Sequence, residues 1–273
     1  APKFMMVQDH ADRWHVEGAL ADDQVASHWL IKFPRGKKTA DDKLVLQTEA
    51  AYMNVAKDLG LKVHADLIWD NDTLLIPRFD RVVVTGQPVI RHAMESLCSL
   101  AGISDYGVPI PQEALCEAIA EYATDPTAEV LEFVMRDIVN ITLGNKDNHA
   151  RNNAVFRLAD GTVTLTPLYD VAPMYLDPDG IARVCRWSGE AEKAGQPVWE
   201  KVIECLPGVV DKELIRGRLK VFGAAVSRLP NLMKRHDIDS SVIDRCAPYI
   251  EENAKQLRAL TGNKPKHTAE VGP

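Results

Sequence analysis

Nothing in these 273 residues pairs cysteines at C-x-x-C spacing. Cys98, Cys116, Cys185, Cys205 and Cys246 are odd in number and far apart, which excludes a disulfide framework and a zinc site and leaves reduced, partly buried thiols. No apolar stretch reaches the roughly 18 to 20 residues of a membrane span, and no charged-then-apolar leader opens the chain, so a cytosolic protein with no membrane partner is expected. Positive charge is also short. With 32 Lys and Arg against 39 Asp and Glu, the net charge of −7 lacks the field that nucleic-acid binding uses, and no direct nucleic-acid contact by this chain alone is expected. Internal repeats and low-complexity segments are absent as well.

What is present is a 46% hydrophobic chain, enough for one large core or two modest ones packed together. Phe4 to Val7 and Trp29 to Phe33 read as two strands of a β-hairpin with a long polar connection. After the loop Pro34 to Lys38, an acidic start at Asp41-Asp42 leads into a helix with Leu46, Ala50, Met53 and Leu59 at helical spacing, ending at Gly60. Val63 to Trp69 and Thr73 to Phe79 read as strands about the turn Asp70-Asn71-Asp72, and Val82 to Ile90 as a hairpin around Gly86. From Glu95 onward helical patterns dominate: Glu95 to Ala101, Gln112 to Ala123, Ala128 to Leu143, Val198 to Cys205, Lys212 to Leu229 and Ser241 to Leu260. They are interrupted by two short strands, Ala154 to Leu158 and Val163 to Pro167, flanking the hairpin signal Asp160-Gly161. The expected class is α+β: a small, mainly β N-terminal lobe with one helix (1–81), a larger, mainly α lobe with a β-hairpin (82–262), and a disordered polar tail (263–273).

Two polar islands carry the chemistry, Gly144 to Asn152 and Leu168 to Pro173. Phosphoryl transfer needs a carboxylate to orient the attacking hydroxyl and oxygen ligands for magnesium. Asp147 supplies the first, and Asn152 with Asp170 the second. The Asp160-Gly161 hairpin folds the chain back, so Asn152 before one strand and Asp170 after the other are expected side by side. An Asp followed five residues later by Asn is a weak signal alone, but loop, hairpin and second Asp follow the order of protein kinases. Upstream, Lys32 sits on an apolar strand from which it could reach the α/β-phosphates of ATP, and Glu49 on the next helix could hold it in place.

Over roughly Phe4 to Leu260 the chain resembles the HipA family of bacterial toxin–antitoxin kinases. The residues carrying the resemblance are Ile31-Lys32-Phe33-Pro34, Thr48-Glu49-Ala50-Ala51-Tyr52 leading to Leu59-Gly60-Leu61, Arg78-Phe79-Asp80-Arg81, Asp147 to Asn152, and Leu168-Tyr169-Asp170-Val171. The resemblance implies a two-lobed protein-kinase-like fold and an ATP- and Mg2+-dependent serine/threonine kinase, with adenine at a hinge near Ile76 to Phe79 and Asp80 near the ribose. It also implies a protein substrate with a Ser or Thr acceptor, an aminoacyl-tRNA synthetase being the family's example, and a small helix-turn-helix antitoxin as partner. Where most kinases have H-R-D and D-F-G, this chain has Asn145-Lys146-Asp147 and Asp170-Val171-Ala172, consistent with the HipA branch only. The glycine-rich loop of that branch is expected upstream of residue 1 or from another chain, with Lys3 as its last residue.

Each residue also has a plainer reading. Asp147 and Asp170 could cap turns, Asn152 could be a turn residue, Lys32 a solvated strand lysine and Glu49 an exposed helix residue. His149 reads first as a histidine tying the loop together, with a phosphate contact as its other role. Arg216 to Lys220 and Arg228 to Arg235 read as solvated basic helix faces. Three rival functions stand beside the kinase: a nucleotide-binding, inactive kinase-like module; a regulator tethered to a separate DNA-binding domain; and small-molecule phosphotransfer of the aminoglycoside-kinase kind.

Overall fold

A computed structural model describes residues 1–105, 108–177 and 180–261; the tail expected over 263–273 lies outside the described residues. The first two predicted strands are neighbours: β1 (Lys3–Asp9) runs antiparallel to β3 (Val25–Lys32), with Lys3 opposite Lys32 and Val7 opposite His28. Their connection is not plain loop, because β2 (Trp14–Val16) folds back onto the outer edge of β1. Three residues are too few for alternation to register in sequence. With β4 (Ile68–Asp70) and β5 (Thr73–Pro77) the sheet has the order β2-β1-β3-β5-β4. Of the strand expected over Val63 to Trp69, only the end forms. The backbone at Lys62, just before it, is used elsewhere: its N–H donates to Glu132 at 3.0 Å and its carbonyl accepts from the Leu168 N–H at 2.7 Å.

Helix α1 (Ala40–Asp58) starts at a capping box, in which the Thr39 hydroxyl accepts from the Asp42 N–H and the Asp42 carboxylate accepts from the Thr39 N–H. Its Leu46 and Ala50 pack on Leu74 of the sheet as a cluster of three. Its later residues Tyr52, Met53, Val55, Ala56 and Leu59 belong instead to the large core of the helical region. The Tyr52 hydroxyl donates to the Leu143 carbonyl at 2.9 Å, fastening the helix there.

The hairpin expected around Gly86 is present as β6 (Arg81–Val82) and β7 (Ile90–Arg91). Glu95 to Ala101 is not one helix. Its first residues belong to β8 (Ala93–Ser96), paired with the later hairpin, and only α2 (Leu97–Leu100) is helical, capped by the Ser96 hydroxyl. A strand partner sixty residues away overrode a local helical pattern. Then come β9 (Ile110–Pro111), α3 (Gln112–Tyr122) and α4 (Pro126–Thr142), the last buried over most of its length.

Strands β10 (Ala154–Arg157) and β11 (Val163–Leu165) form the predicted hairpin, made three-stranded by β8. Short strands β12 (Cys185–Arg186), parallel to β9, and the pair β13 (Glu192–Lys193) and β14 (Gln196–Pro197) precede four helices. These are α5 (Trp199–Cys205), α6 (Lys212–Val226), α7 (Leu229–Arg235) and α8 (Ser240–Ala259), so the helix expected over Lys212 to Leu229 breaks at Ser227-Arg228. Nor is Arg216 on a solvated face: it is 5% exposed and paired with Glu200 and Glu213. All five cysteines are free thiols, four buried and Cys205 exposed. Among the described residues no helix is long and apolar enough to cross a membrane.

Candidate functional site

Lys32 is the last residue of β3 and only 5% exposed, so its ammonium needs partners. It has two. Nζ donates to Glu49 Oε1 at 2.7 Å and to Asp170 Oδ1 at 2.6 Å, joining sheet, helix α1 and the segment after β11 at one point. Burial alone would push the lysine down, but Glu49 and Asp170 together hold it above its ordinary range. Glu49, itself buried, is pushed up by desolvation, which Lys32 offsets only in part. Burial likewise raises Asp170, yet here the lysine prevails and the carboxyl is held below its usual range. Asp170 has φ 61°, a conformation uncommon outside glycine. Its carbonyl is held by the Asn145 amide at 3.2 Å and its carboxylate by Lys32.

The loop bearing Asp147 leaves α4 through Gly144, at φ 71°, where a Cβ would lie 2.7 Å from Tyr175 Cδ1. Glycine is required there. An asparagine network that sequence reasoning missed then braces the loop. Buried Asn145 donates to Asn140 Oδ1 at 2.7 Å and accepts from the Asp147 N–H at 3.1 Å. Asn148 donates to Asp137 at 3.1 Å and accepts from Asn153 at 3.1 Å. Asp137, buried on α4, also accepts from Gln112 and from the Trp187 indole. The available signal was the polar Asp137 and Asn140 among the apolar residues Val134, Ile138, Val139 and Ile141 of α4, where a buried polar group must find partners.

Asp147 itself is half-buried. Burial raises its pKa, His149 pulls it down and Asp170 pushes it further up. His149 Nε2 lies 3.8 Å from Asp147 Oδ1, and its Nδ1 is buried without a hydrogen-bond partner. Asn152 donates to the Asp147 carbonyl at 2.9 Å, which leaves its amide oxygen unused among the described residues.

Two adjoining concavities meet at this cluster. One, of about 380 Å³, is lined by Lys32, Glu49, Ile76, Phe79, Asp80, Asn152 and Asp170. The other, of about 290 Å³, shares Lys32, Glu49, Asn152 and Asp170 and adds Asp147, His149 and Arg35. All nine residues expected to form the site thus line one continuous region. The Phe79 ring packs 5.7 Å from both Phe156 and Tyr169. Asp80 lines the cleft, but its carboxylate is already held by Arg78 at 2.9 and 2.6 Å and by Arg81 at 2.7 Å. Arg35 was not foreseen. Its guanidinium reaches Asp177 at 2.5 Å, 142 residues away, and closes one side of the smaller concavity.

The donor set suits a hard divalent cation: the free oxygen of Asn152 and the carboxylate of Asp170 face the same space. Among the described residues no three His, Cys, Asp or Glu side chains gather into a metal cluster.

A family profile described as the HipA-like C-terminal domain matches residues 1–213. Among solved structures, the HipA of the Shewanella oneidensis MR-1 toxin–antitoxin system, determined with HipB and its operator DNA, aligns with TM-score 0.68 and 18% identity over 94% of this chain and 63% of that one. The Helicobacter pylori proinflammatory kinase CtkA aligns with TM-score 0.51 and 12% identity over 92% of this chain and 96% of that one. The chain therefore spans less than two thirds of the Shewanella protein, and at these identities the likeness is one of fold, a mixed α/β fold shared with a toxin–antitoxin protein and a kinase.

Proposed function

The chain belongs to the HipA-like C-terminal domain family, and from that premise we propose that it is the two-lobed catalytic core of an ATP- and Mg2+-dependent serine/threonine protein kinase, a toxin of HipA type acting in the cytosol. The observation that carries the reading is the junction at Lys32, where one buried ammonium joins Glu49 to Asp170 beside Asp147 and Asn152.

In this reading ATP lies in the larger concavity, its adenine along Ile76 to Phe79 and its phosphates toward Lys32. Asp80, neutralised by two arginines, lines the ribose end rather than acting as a free charge. Mg2+, when bound through Asn152 and Asp170, supplies charge neutralisation on the phosphates. Asp147 accepts the proton of a serine or threonine hydroxyl as its oxygen bonds to the γ-phosphorus. The bond from that phosphorus to the β,γ-bridging oxygen breaks, and ADP leaves with the electron pair. His149 lines the smaller concavity beside Asp147, where its ring suits contact with a terminal phosphate oxygen. A helix-turn-helix antitoxin is the proposed partner, in line with the HipB bound to the Shewanella protein. The acceptor is proposed to be a translation protein such as an aminoacyl-tRNA synthetase.

The test is transfer of labelled phosphate from ATP to proteins of a bacterial lysate. Asp147→Asn is expected to lower labelling by about 10² to 10⁴-fold, the usual contribution of a positioned general base. Equal labelling by both proteins would reject the assignment of Asp147.

A further inference from the structure

A third concavity, of about 410 Å³, shares none of the described lining residues of the two that meet at Lys32. Its wall includes Asn145 and Lys146, the residues just before Asp147, together with Tyr175, Arg183, Arg186 and Arg245. In a chain of net charge −7, four cations and no carboxylate line this space among the described residues. The acidic groups nearby are partly committed: Glu192 pairs with Arg183 and lies 3.9 Å from Arg186 Nε, and Asp137 is tied up by Gln112, Asn148 and Trp187. Lys146 and Arg245 have no ion-pair partner among the described residues, and the Arg245 guanidinium is held over the Tyr175 ring, 5.7 Å from its centre. Hydrogen-bond donors are left over too. The Tyr175 hydroxyl is buried without a partner, and so is Nη1 of Arg183, a side chain only 10% exposed. Orphaned donors in a cationic cavity are a cost that an anion would remove.

We propose that this cavity is a second site on the protein, which binds a phosphate group through Lys146, Arg186 and Arg245, with the Tyr175 hydroxyl as a neutral donor. Several cations converging on one space suit a dianion with three acceptor oxygens better than a single carboxylate. The volume lies within the range of small-molecule sites, so the phosphate arrives on a free small molecule or on a phosphorylated side chain of a docked protein. The site touches the loop next door: Asn145, in its wall, accepts from the Asp147 N–H and donates to the Asp170 carbonyl. The proposal stands apart from the phosphotransfer reading, since it concerns binding alone.

The test is calorimetric titration of the 273-residue chain with pyrophosphate in a Lys32→Ala, Glu49→Leu background, which removes the buried cation of the other cleft together with the carboxylate it would leave unpaired. Binding is expected to persist there and to weaken at least tenfold on adding Arg186→Gln and Arg245→Gln, both exposed positions; unchanged affinity, or no binding in the background, overturns the proposal. Should the arginine double variant fail to fold by circular dichroism, Lys146→Gln, also exposed, is expected to weaken binding in the same direction, and unchanged affinity there overturns the proposal equally. Ribose 5-phosphate and a phosphoserine pentapeptide, titrated in parallel, separate the two sources: the tighter ligand identifies which one the cavity takes.

Discussion

The N-terminal sheet and the helical region are held together in different ways. In the sheet, the connected cluster of buried residues beneath α1 is just Leu46, Ala50 and Leu74, while Phe4 and Met5 of β1 and Trp14 and Val16 of β2 stay exposed. The helical region has one contiguous core running from Tyr52 to Leu260. Helix α1 lies between β3 and β4 in the chain but packs mainly with the second group. Glu49 is therefore anchored on the same body as the loop of Asp147, and Lys32 alone reaches across from the sheet to both carboxylates. The seam between the regions coincides with the candidate site.

That contrast can be broken most decisively at the seam. Lys32→Met leaves buried Glu49 without its counter-ion, so it is expected to destabilise the fold by about 3 kcal/mol or more and to lower the proposed phosphotransfer at least about a hundredfold. Urea unfolding and labelled-phosphate transfer read the two effects. Adding Glu49→Leu is expected to restore much of the stability and none of the activity; stability unchanged by the single substitution would show that the pair does not join the regions.

Next in size are the two cores. Ile138→Ala in α4 is expected to cost about 4 kcal/mol, and Leu74→Ala in the sheet about 2 kcal/mol, since the thinner cluster has less packing to lose. Hydrogen exchange sharpens the same point, with the amides of α4 exchanging more slowly than those of β1. Equal protection in both would erase the distinction.

A third prediction concerns protons. Asp147 must be ionised to accept one, and burial places its pKa above the ordinary carboxylate value. Activity is therefore expected to fall with decreasing pH before an unperturbed aspartate would protonate. Removing the His149 charge is expected to move that acid limb to higher pH, so a limb that stays put or moves down in His149→Ala would contradict the electrostatic arrangement. A folded-state pKa above the unfolded one means that ionised Asp147 costs stability at neutral pH, a cost relieved as pH falls. Asp147→Asn is accordingly expected to raise the melting temperature slightly while lowering transfer by the factor given above. The smallest effect is at the start of α1. Thr39→Ala removes a cap worth about 1 kcal/mol, yet a helix anchored by Tyr52 to the larger core is expected to keep transfer within about twofold of the unsubstituted protein.

The long helices were legible because α4 and α8 repeat apolar residues at the spacing of a buried helical face, and the Asp160-Gly161 turn was legible because its signal is local. Strands β2 and β8 were not. One is three residues long, and the other is a strand only because β10 lies beside it. At the site, Lys32, Asp147, Asn152 and Asp170 could be picked out by type and order. The asparagines that brace them could not, because Asn140, Asn145, Asn148 and Asn153 acquire meaning from partners that only folding supplies. The Arg35–Asp177 contact, 142 residues apart, has no sequence signature at all.

Residue order alone dictated that this chain would put a mainly β segment before a mainly helical one, and which polar residues stand beside strands, because periodicity and turn chemistry act over a few neighbouring residues. Folding alone decided that α1 would side with the helical core, that one buried lysine would share two carboxylates, and that Lys146, Arg183, Arg186 and Arg245 would line one cavity. Each of those depends on groups brought from distant parts of the chain into spaces where water no longer screens them, so their energies exist only once the chain has closed.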